Sequence, residues 1–358
     1  MIRRKTWKGT NRVGQGVALE TDSAEVATEA VDREPLIAIL LSTYNGERYL
    51  REQLDSILDQ TYKNWRVLWR DDGSSDASHA IMEAFANGIG CGRCIETGPT
   101  GARLGAAKSF FSLLREAGEY SFTAFADQDD VWLPDKLQRA VERIVAQKPG
   151  MPVLYSARQI IVDEHLQRQA LSPLPHFGPG FPSALLQNIV TGCTAMLNRE
   201  AVQLVNCVEP PDDTVHDWWV YIVIAAACGS VIFDPVPAIL YRQHGYNAIG
   251  AASSFIPRAV KAIQRGPAPF LRQLEKHALA LATAKRKLPQ SAQATNTRIL
   301  RALSRGRMAR LSLMSDPAFR RQTWWENVGL TAWMLTAYKP LADPRCSLDG
   351  DVISGGQH

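Results

Sequence analysis

The sequence of 358 residues lacks any apolar run long enough to cross a lipid bilayer. A membrane-spanning helix needs about 20 consecutive apolar residues, so we expect no transmembrane segment. The basic start of the chain, Met1–Lys5, is not followed by the apolar stretch of a secretory signal peptide. These two absences favour a cytoplasmic protein.

Cysteine is scarce and scattered, with six residues in the chain. This excludes a small disulfide scaffold. Cys91 and Cys94 form a single C-x-x-C pair, but no second pair and no histidine cluster completes a zinc site. We therefore attribute the pair to chance rather than to metal binding or redox chemistry.

Two common nucleotide-binding motifs are also absent. The sequence contains neither the glycine-rich loop and lysine of a P-loop nor the G-x-G-x-x-G fingerprint. No internal repeat is visible, and 46% hydrophobic with 21% charged residues is an ordinary globular composition. The length allows about two domains, or one large α/β domain with an appendage.

The net charge of +4 is too small to indicate nucleic-acid binding, but it conceals two regions of opposite charge. Residues 1–250 carry 23 basic and 30 acidic side chains, whereas residues 255–340 carry 16 basic and three acidic ones. This asymmetry predicts that the basic C-terminal segment contacts something anionic.

Apolar runs alternate with amphipathic segments from residue 35 onward, after a polar stretch at 1–34 that we interpret as a flexible tail. Leu36–Leu41 and Trp65–Arg70 are predicted strands, and each ends in a polar loop that leads into a predicted helix. This alternation is typical of a parallel sheet with helical crossovers. Ligands bind such sheets at the carboxyl ends of the strands, where the polar loops fall.

The rest of the chain continues this alternation and then changes character. Further predicted elements are helices over 106–117, 134–145 and 218–227, strands over 121–126, 152–155 and 195–197, and one or two short strands within 231–240. From residue 256 the sequence becomes rich in Arg, Lys, Ala and Leu, with Gly or Pro between helical segments. The last 18 residues are typical of a loose tail.

Acidic residues collect where predicted strands end. They are Asp71, Asp72, Asp127, Asp129, Asp130 and, after a longer interval, Asp217. Carboxylates buried together are costly unless a cation or hydrogen-bond donors compensate them. Mg²⁺ or Mn²⁺, completed by substrate phosphates, is the simplest compensation, so the D-x-D sequence predicts a metal–diphosphate site. The alternative is a turn and helix-capping cluster.

Several blocks of the sequence occur in the order found in one enzyme family. They are Leu40–Gly46, Ser56–Tyr62, Asp71–Asp76, Asp127–Trp132, Thr191–Cys193, His216–Trp219 and Tyr241–Asn247. Together they resemble the nucleotide-sugar domain of glycosyltransferase family 2, and the last three resemble its rhamnosyltransferase-type members, which build surface polysaccharides. The resemblance covers residues 35–250 and implies an α/β GT-A fold with a Rossmann-like, mostly parallel sheet. Residues 251–340 are then expected to form a basic helical extension, and 341–358 a flexible tail.

The resemblance also implies roles for residues in the first loops. Thr43, Tyr44 and Asn45 match the family's first nucleotide loop, and Asp72 matches the acid that hydrogen-bonds the pyrimidine ring. Lys108, near the start of a predicted helix, is a further candidate for contact with the diphosphate.

A second set of residues is implied at the metal. Asp129 matches the metal-binding acid of the D-x-D motif, and His244 matches a histidine that ligates the metal in some relatives, with Mn²⁺ or Mg²⁺ as the expected cofactor. Asp127 and Asp130 are expected to contact sugar hydroxyls or to act through water. The alternative for His244 is an ordinary core or loop histidine.

Asp217 matches the family's catalytic base, although the usual Glu-Asp pair is here His216-Asp217, which leaves the role of His216 open. Inversion in one displacement needs one base and no enzyme nucleophile. The alternative for Asp217 is a helix N-cap. Trp218 and Trp219 either form an acceptor-binding face or pack in the core. Arg242 either orients an acid, meets a phosphate or forms a surface ion pair.

The resulting hypothesis is an inverting, metal-dependent glycosyltransferase that uses a nucleoside diphosphate sugar, with dTDP-L-rhamnose the donor implied by the resemblance. The acceptor is expected to be a glycan or a lipid-linked glycan. A UDP-hexose donor, a nucleotidyltransferase, and a non-catalytic nucleotide-sugar or glycan binding protein are the alternatives. Residues 255–340 are expected to contact an anionic membrane peripherally or to pack as a helical cap. No recognised nucleic-acid module is present, so no nucleic-acid partner is expected.

Overall fold

A computed structural model describes residues 34–98, 102–244, 266–284 and 287–341. Its first half is a parallel sheet in the order β3-β2-β1-β4. The strands are β1 (Ile37–Thr43), β2 (Trp65–Asp71), β3 (Cys94–Glu96) and β4 (Phe122–Ala126), connected by α1 (Leu50–Leu58), α2 (Ser78–Asn87) and α3 (Ala106–Glu116). This confirms the predicted Rossmann-like half.

The second half of the sheet is mixed. It contains β5 (Val131–Trp132), β6 (Val153–Val162), β7 (Arg168–Leu171), β8 (Met196–Asn198) and β9 (Ser230–Arg242). The order continues β4-β8-β6-β9-β5, with β7 paired to β6. Only the β6–β9 pair is parallel among the described pairings of this half.

The prediction of one or two short strands within 231–240 is wrong in length, because β9 runs through 13 residues. Pro235 and Pro237 suggested a break, since proline cannot donate to a strand ladder. The register between β6 and β9 shifts at Ala157–Gln159, opposite these prolines, so the pairing resumes beyond them. β6 is likewise longer than the predicted strand over 152–155.

The remaining helices lie around and after the sheet. They are α4 (Lys136–Val145), α5 (Arg199–Asn206), α6 (His216–Ala226), α7 (Pro267–Thr283), α8 (Gln290–Arg305), α9 (Arg307–Leu311) and α10 (Trp324–Met334). None of the helices in the described ranges is long and apolar enough to span a membrane.

Two apolar clusters cover the faces of β1, as its continuous apolar run predicts. Ile37, Ile39 and Leu41 belong to one cluster, whereas Ala38 and Leu40 belong to the other. The second cluster also contains most of α6 and many buried residues of the C-terminal segment, among them Leu271, Leu274, Leu281, Ile299, Leu303, Leu313, Phe319, Leu330 and Met334. The C-terminal helices therefore contribute to the core beside α6.

Three domain boundaries in the predictions are not located by the structure. The expected division at residue 250 lies outside the described residues, as do Gly245–Asn247 of the last sequence block. The predicted tails, 1–34 and 341–358, fall outside them except for Glu34 and Leu341. The division of the chain into these domains stays a prediction.

Candidate active site

Three parallel strands bring their carboxyl ends to one edge of the sheet. In the register, Thr43 of β1 lies opposite Asp71 of β2, and Leu41 lies opposite Ala126 at the end of β4. The loops that begin at Tyr44, Asp72 and Asp127 therefore start side by side, as the alternation of strands and helices predicts.

Gln128 holds the backbone of the first loop. Its amide oxygen accepts from Tyr44 N at 2.8 Å, and its amide nitrogen donates to Tyr44 O at 2.9 Å. A Cβ at Gly46 would lie 2.3 Å from the Gln128 amide oxygen, so glycine leaves the room that this side chain needs. Asn45, at φ 47°, accepts from Ser75 N at 2.8 Å. The contact between Gln128 and Tyr44 was not predicted, because Gln128 is an uncharged residue between Asp127 and Asp129 and belongs to no pattern of its own.

Asp72 is buried and anchors the segment that leads into α3. Arg70 Nη1 donates to Asp72 Oδ1 at 2.6 Å, and the backbone N–H groups of Leu104 and Gly105 donate to its two oxygens at 2.6 and 2.8 Å. Contact between Asp72 and a pyrimidine ring stays a prediction. Lys108 lies exposed in the first turn of α3, where its ammonium is 3.5 Å from Asp212 Oδ1.

The three acids after β4 have different surroundings. Asp129 Oδ2 lies 2.9 Å from His244 Nε2, which pairs the two predicted metal ligands. Asp130 is fully buried; its Oδ1 accepts from Arg242 N at 3.1 Å, whereas its Oδ2 has no hydrogen-bond partner. One ligand atom each from Asp127, Asp130 and Cys193 lies within 4.8 Å of the others. Cys193 was not a predicted site residue, although it belongs to one of the sequence blocks.

Burial shifts the pKa values of several groups in this cluster. Burial, with smaller contributions from the Asp129 and Asp217 carboxylates, raises the pKa of Asp127 to about 7. Burial also raises the pKa of Asp130 well above its usual range and lowers the pKa of Lys136 to about 7. The acids therefore destabilise one another when ionised, and a bound cation would relieve that cost.

The donor set fits Mn²⁺ or Mg²⁺. Carboxylate oxygens are the preferred ligands of these hard cations, and one imidazole is compatible with Mn²⁺. Two adjacent ligands at about 2.1 Å from an octahedral ion lie about 3 Å apart. Asp129 Oδ2 and His244 Nε2 are 2.9 Å apart, which is a hydrogen-bond distance and is also close to that spacing.

Arg242 holds the backbone of the loop that follows β4 and contains Asp127, Asp129 and Asp130. Its guanidinium is buried, donates from Nε to Asp129 O at 2.9 Å and from Nη1 to Glu164 O at 2.7 Å, and pairs with the Glu52 carboxylate. It also lies 4.4 Å from the ring centre of Tyr49. These contacts favour orientation of the acids over a surface ion pair, and contact with a phosphate stays a prediction.

Asp217 lies in the first turn of α6 and is held by backbone donors. Its Oδ2 accepts from Gly192 N at 2.9 Å and its Oδ1 from Trp218 N at 2.6 Å. Burial raises its pKa to about 6. The N-cap alternative is wrong, because Val215 occupies the cap position. Asp217 is thus a fixed carboxylate that is ionised at neutral pH yet more basic than a solvated aspartate.

His216 packs beside this carboxylate without sharing its hydrogen bonds. Its ring centre lies 4.2 Å from that of Phe110 and 4.9 Å from that of Phe125. Burial lowers its pKa to about 3, so the ring is neutral near pH 7. Its Nε2 is buried without a hydrogen-bond partner and faces Gly192, where an added Cβ would lie 2.5 Å away. His216 therefore fills the space that a side chain at residue 192 would need.

We expect Gly192→Ala to lower the free energy of unfolding by about 1–3 kcal/mol, because the new methyl group overpacks against His216. Urea denaturation measures this change. Gly178→Ala is the matched control, since a Cβ there meets nothing within 4 Å. Equal stability of the two variants would show that the contact between Gly192 and His216 is not tight.

The two tryptophans after Asp217 have different environments. Trp219 is fully buried and its Nε1 donates to Val208 O at 3.3 Å, so the packing alternative is confirmed for this residue. Trp218 is partly buried, donates from Nε1 to Ala184 O at 2.7 Å and meets the His277 ring edge-on at 4.8 Å. A contact between Trp218 and an acceptor stays a prediction.

Comparisons with known proteins agree with this architecture. The family model described as "Glycosyl transferase family 2" matches residues 38–205. A dTDP-rhamnosyl transferase, RfbG of Shigella flexneri, is 30% identical over 230 residues, which cover 60% of this chain and 75% of the relative. WfgD of Escherichia coli, named as a UDP-Glc:alpha-D-GlcNAc-diphosphoundecaprenol beta-1,3-glucosyltransferase, is 28% identical over 165 residues, 46% of this chain and 60% of the relative.

A solved structure shares the fold. The structure of S. aureus TarS 1–349 in complex with UDP superposes with a TM-score of 0.50 at 18% identity, over 74% of this chain and 69% of that one. The mixed α/β sheet and its flanking helices are those of GT-A glycosyltransferases. From the family match and the relative at 30% identity, the chain belongs to glycosyltransferase family 2.

Proposed function

We propose that this glycosyltransferase is inverting and metal-dependent, and that it moves L-rhamnose from dTDP-L-rhamnose onto a growing cell-surface glycan. One observation carries the proposal: a carboxylate–imidazole pair, Asp129 and His244, lies in the cluster after β4, and a separate, backbone-held carboxylate, Asp217, is close enough to that cluster to raise the pKa of Asp127. The first is suited to a metal and its diphosphate. The second is suited to take a proton.

The donor is proposed from similarity. The relative at 30% identity is named as a dTDP-rhamnosyl transferase, which supports dTDP-L-rhamnose. A UDP-hexose is the second candidate, because the Escherichia coli relative is named for UDP-Glc. That relative's acceptor, as named, is a sugar on diphosphoundecaprenol, which supports a lipid-linked glycan acceptor and work at the cytoplasmic face of the cell membrane.

The proposed reaction is a single displacement at the anomeric carbon. The acceptor hydroxyl oxygen bonds to that carbon while the bond to the β-phosphate oxygen breaks, and Asp217 takes the hydroxyl proton. The N–H groups of Gly192 and Trp218 keep the carboxylate in place without an ionic partner that would weaken it as a base. A bound Mn²⁺ or Mg²⁺, held by Asp129 and His244, supplies positive charge against the negative charge of the leaving diphosphate.

The loops before this centre have supporting parts in the proposal. Thr43, Tyr44 and Asn45 line the nucleotide site, with Asp72 toward the pyrimidine ring and Lys108 toward the diphosphate. Asp127 and Asp130 are proposed to meet sugar hydroxyls or water. Gln128 and Arg242 position the backbone of these loops, because both hold main-chain atoms within them.

The pH dependence follows from the raised pKa of Asp217. The base must be ionised, so we expect kcat/KM to rise with pH through about 6 and to be about tenfold lower at pH 5 than at pH 7.5. His216 stays neutral across this range, so its titration does not change kcat/KM there. Rates across pH 4.5–8.5 at saturating metal measure the profile.

A second acid near Asp217 must be separated from it in that experiment. Asp127, with its pKa raised to about 7, titrates close by. Asp127→Asn removes this titration, so a rise in kcat/KM that persists near pH 6 in the variant is due to Asp217. A rise in kcat/KM centred near pH 4, the usual pKa of a solvated aspartate, would contradict the proposed base.

A transfer assay tests the function itself. Purified full-length protein is incubated with a lipid-linked glycan acceptor, with dTDP-L-rhamnose, UDP-glucose or GDP-mannose, and with Mn²⁺ or EDTA, and release of the nucleoside diphosphate is followed. We expect turnover with dTDP-L-rhamnose, loss of turnover in EDTA and recovery when Mn²⁺ is restored. Turnover that is unchanged by EDTA would contradict the proposed metal dependence. Faster turnover with UDP-glucose than with dTDP-L-rhamnose would identify the UDP-hexose as the donor. Thermal stabilisation by a donor without any turnover would favour a binding protein.

A further inference from the structure

Helix α10 turns an uncharged apolar face to solvent. Trp324 is 79% exposed, Val328 61% and Leu335 42%. Their spacing of four and seven residues places them along one stripe of the helix, which continues for one residue past the end of α10. The one ionisable side chain within α10, Glu326, is buried and binds Thr323. We call Trp324, Val328 and Leu335 the exposed stripe.

This exposure is not a sign of a loosely packed helix. A capping box between Thr323 and Glu326 closes the first turn, and Arg310 Nε donates to Met334 O at 3.0 Å at the last turn. Leu330 and Met334 are fully buried in the core cluster that contains α6. The opposite side of α10 is therefore fixed to the protein, and the exposed stripe is held outward.

Exposed cations lie before and after α10 in the chain: Arg320 is four residues before Trp324, and Lys339 is four residues after Leu335. Arg307 is exposed one turn before Arg310, whose Nε donates to Met334 O in the last turn of α10. Arg301 and Arg305 are further exposed cations of the C-terminal helices. The acids of the described residues 266–284 and 287–341 do not offset them: Glu275 and Glu326 are buried, and Asp316 pairs with Arg298. The described part of the C-terminal segment therefore combines exposed apolar side chains with an excess of exposed positive charge.

We propose that α10 lies along the surface of an anionic lipid bilayer, with the exposed stripe in the interface between headgroups and acyl chains. Tryptophan favours that interface, and Arg and Lys beside an apolar stripe are attracted by anionic headgroups. The occupant is a membrane because the exposed stripe is narrow and exposed cations, Arg320 and Lys339, precede and follow it in the chain. This deepens the membrane contact expected for residues 255–340 and does not depend on the identity of the sugar donor.

Two residues of the 255–340 segment are excluded from this contact by their positions in the structure. Arg321 is not available to lipid, because it is partly buried with its guanidinium 3.4 Å from Glu326 Oε1. Trp333 is also turned inward, with its ring centre 5.1 Å from that of Phe270. The contact therefore rests on the exposed stripe and on the exposed cations that accompany it.

Vesicle flotation of the full-length protein tests the proposal. We expect flotation with vesicles of phosphatidylglycerol and phosphatidylcholine, and little with phosphatidylcholine alone. The triple variant Trp324→Ser, Val328→Ser, Leu335→Ser should float at least tenfold less. The matched control, Ile89→Ser, Val145→Ser, Val236→Ser, removes apolar side chains that are 73%, 62% and 50% exposed elsewhere, and should float as the unchanged protein does.

Two further measurements keep the outcomes distinct. Thermal melts and release of nucleoside diphosphate from the donor in solution should be alike for both triple variants, so a failure of lipid binding is separable from a failure of glycosyl transfer. Arg307→Gln with Lys339→Gln should lose the preference for phosphatidylglycerol. Equal flotation of the control and of the triple variant at Trp324, Val328 and Leu335, the stripe variant, would overturn the proposal. Light scattering that shows a dimer lost only in the stripe variant would instead assign the stripe to a second copy of this chain.

Discussion

Asp217→Asn is expected to lower the rate of sugar transfer by about 10²–10⁴-fold, because the acceptor hydroxyl then has no base. The loops proposed to bind the nucleotide and Asp129 are unchanged in this variant, so the Kd for the donor should stay within a few-fold. Single-turnover rates and calorimetric titration of dTDP separate the two effects. A thermal melt shows whether the amide has disturbed the contacts with Gly192 and Trp218.

Asp213→Asn provides the matched control for this prediction. Asp213 lies four residues before Asp217, is largely exposed and pairs with Lys276 at 2.9 Å. Its left-handed backbone, at φ 63°, is one that asparagine also adopts. The control should transfer sugar at the original rate. Undiminished turnover in Asp217→Asn would show that Asp217 is not the base. The acids of the cluster after β4 would then be the remaining candidates.

Asp129→Asn should raise the Kd for Mn²⁺ by more than about tenfold and weaken metal-dependent donor binding in parallel. The reason is the loss of a charged ligand oxygen beside His244 Nε2. Calorimetric titration of Mn²⁺ and of dTDP in the presence of Mn²⁺ measures both. Asp135→Asn, at a half-exposed acid that pairs with Arg139, should leave both titrations unchanged.

Cys193→Ser distinguishes the two neighbouring groups that could hold the metal. Cys193 Sγ lies near Asp127 and Asp130 but belongs to a different set of atoms from the pair of Asp129 and His244. If the pair holds the ion, the serine variant keeps its Mn²⁺ affinity. Loss of Mn²⁺ binding in Cys193→Ser, with Asp129→Asn unaffected, would move the metal to the group of Asp127, Asp130 and Cys193.

The order of strands and helices was predictable, because it follows from local patterns. The continuous apolar run of β1 and the polar loops after β1, β2 and β4 carry enough information to predict a parallel sheet and the convergence of those loops. The 13-residue length of β9 was not predictable, since Pro235 and Pro237 argue locally for a break. β9 continues past these two prolines because it pairs with β6 on both sides of them, with a shift in register between.

The acids of the site were also predictable, but the groups that position them were not. Gln128 binds Tyr44 across 84 residues of sequence, and Arg242 binds Asp129 across 113. Gly192 reaches Asp217 through its backbone N–H, which every residue except proline possesses. Such contacts depend on tertiary positions, so a pattern of residue types does not reveal them.

The sharing of one core by α6 and the C-terminal helices has a consequence for protein engineering. The family match ends at residue 205, before α6, so the proposed base and the exposed stripe lie in the part of the chain beyond it. His277 of α7 bonds Thr214 at 2.9 Å and packs against Trp218 of α6. A chimaera made at about residue 206 would therefore exchange the proposed base, the helices that pack against α6 and the exposed stripe together, while the loops after β1, β2 and β4 stay with the recipient. A join at residue 250 would separate α6 from the helices that cover it.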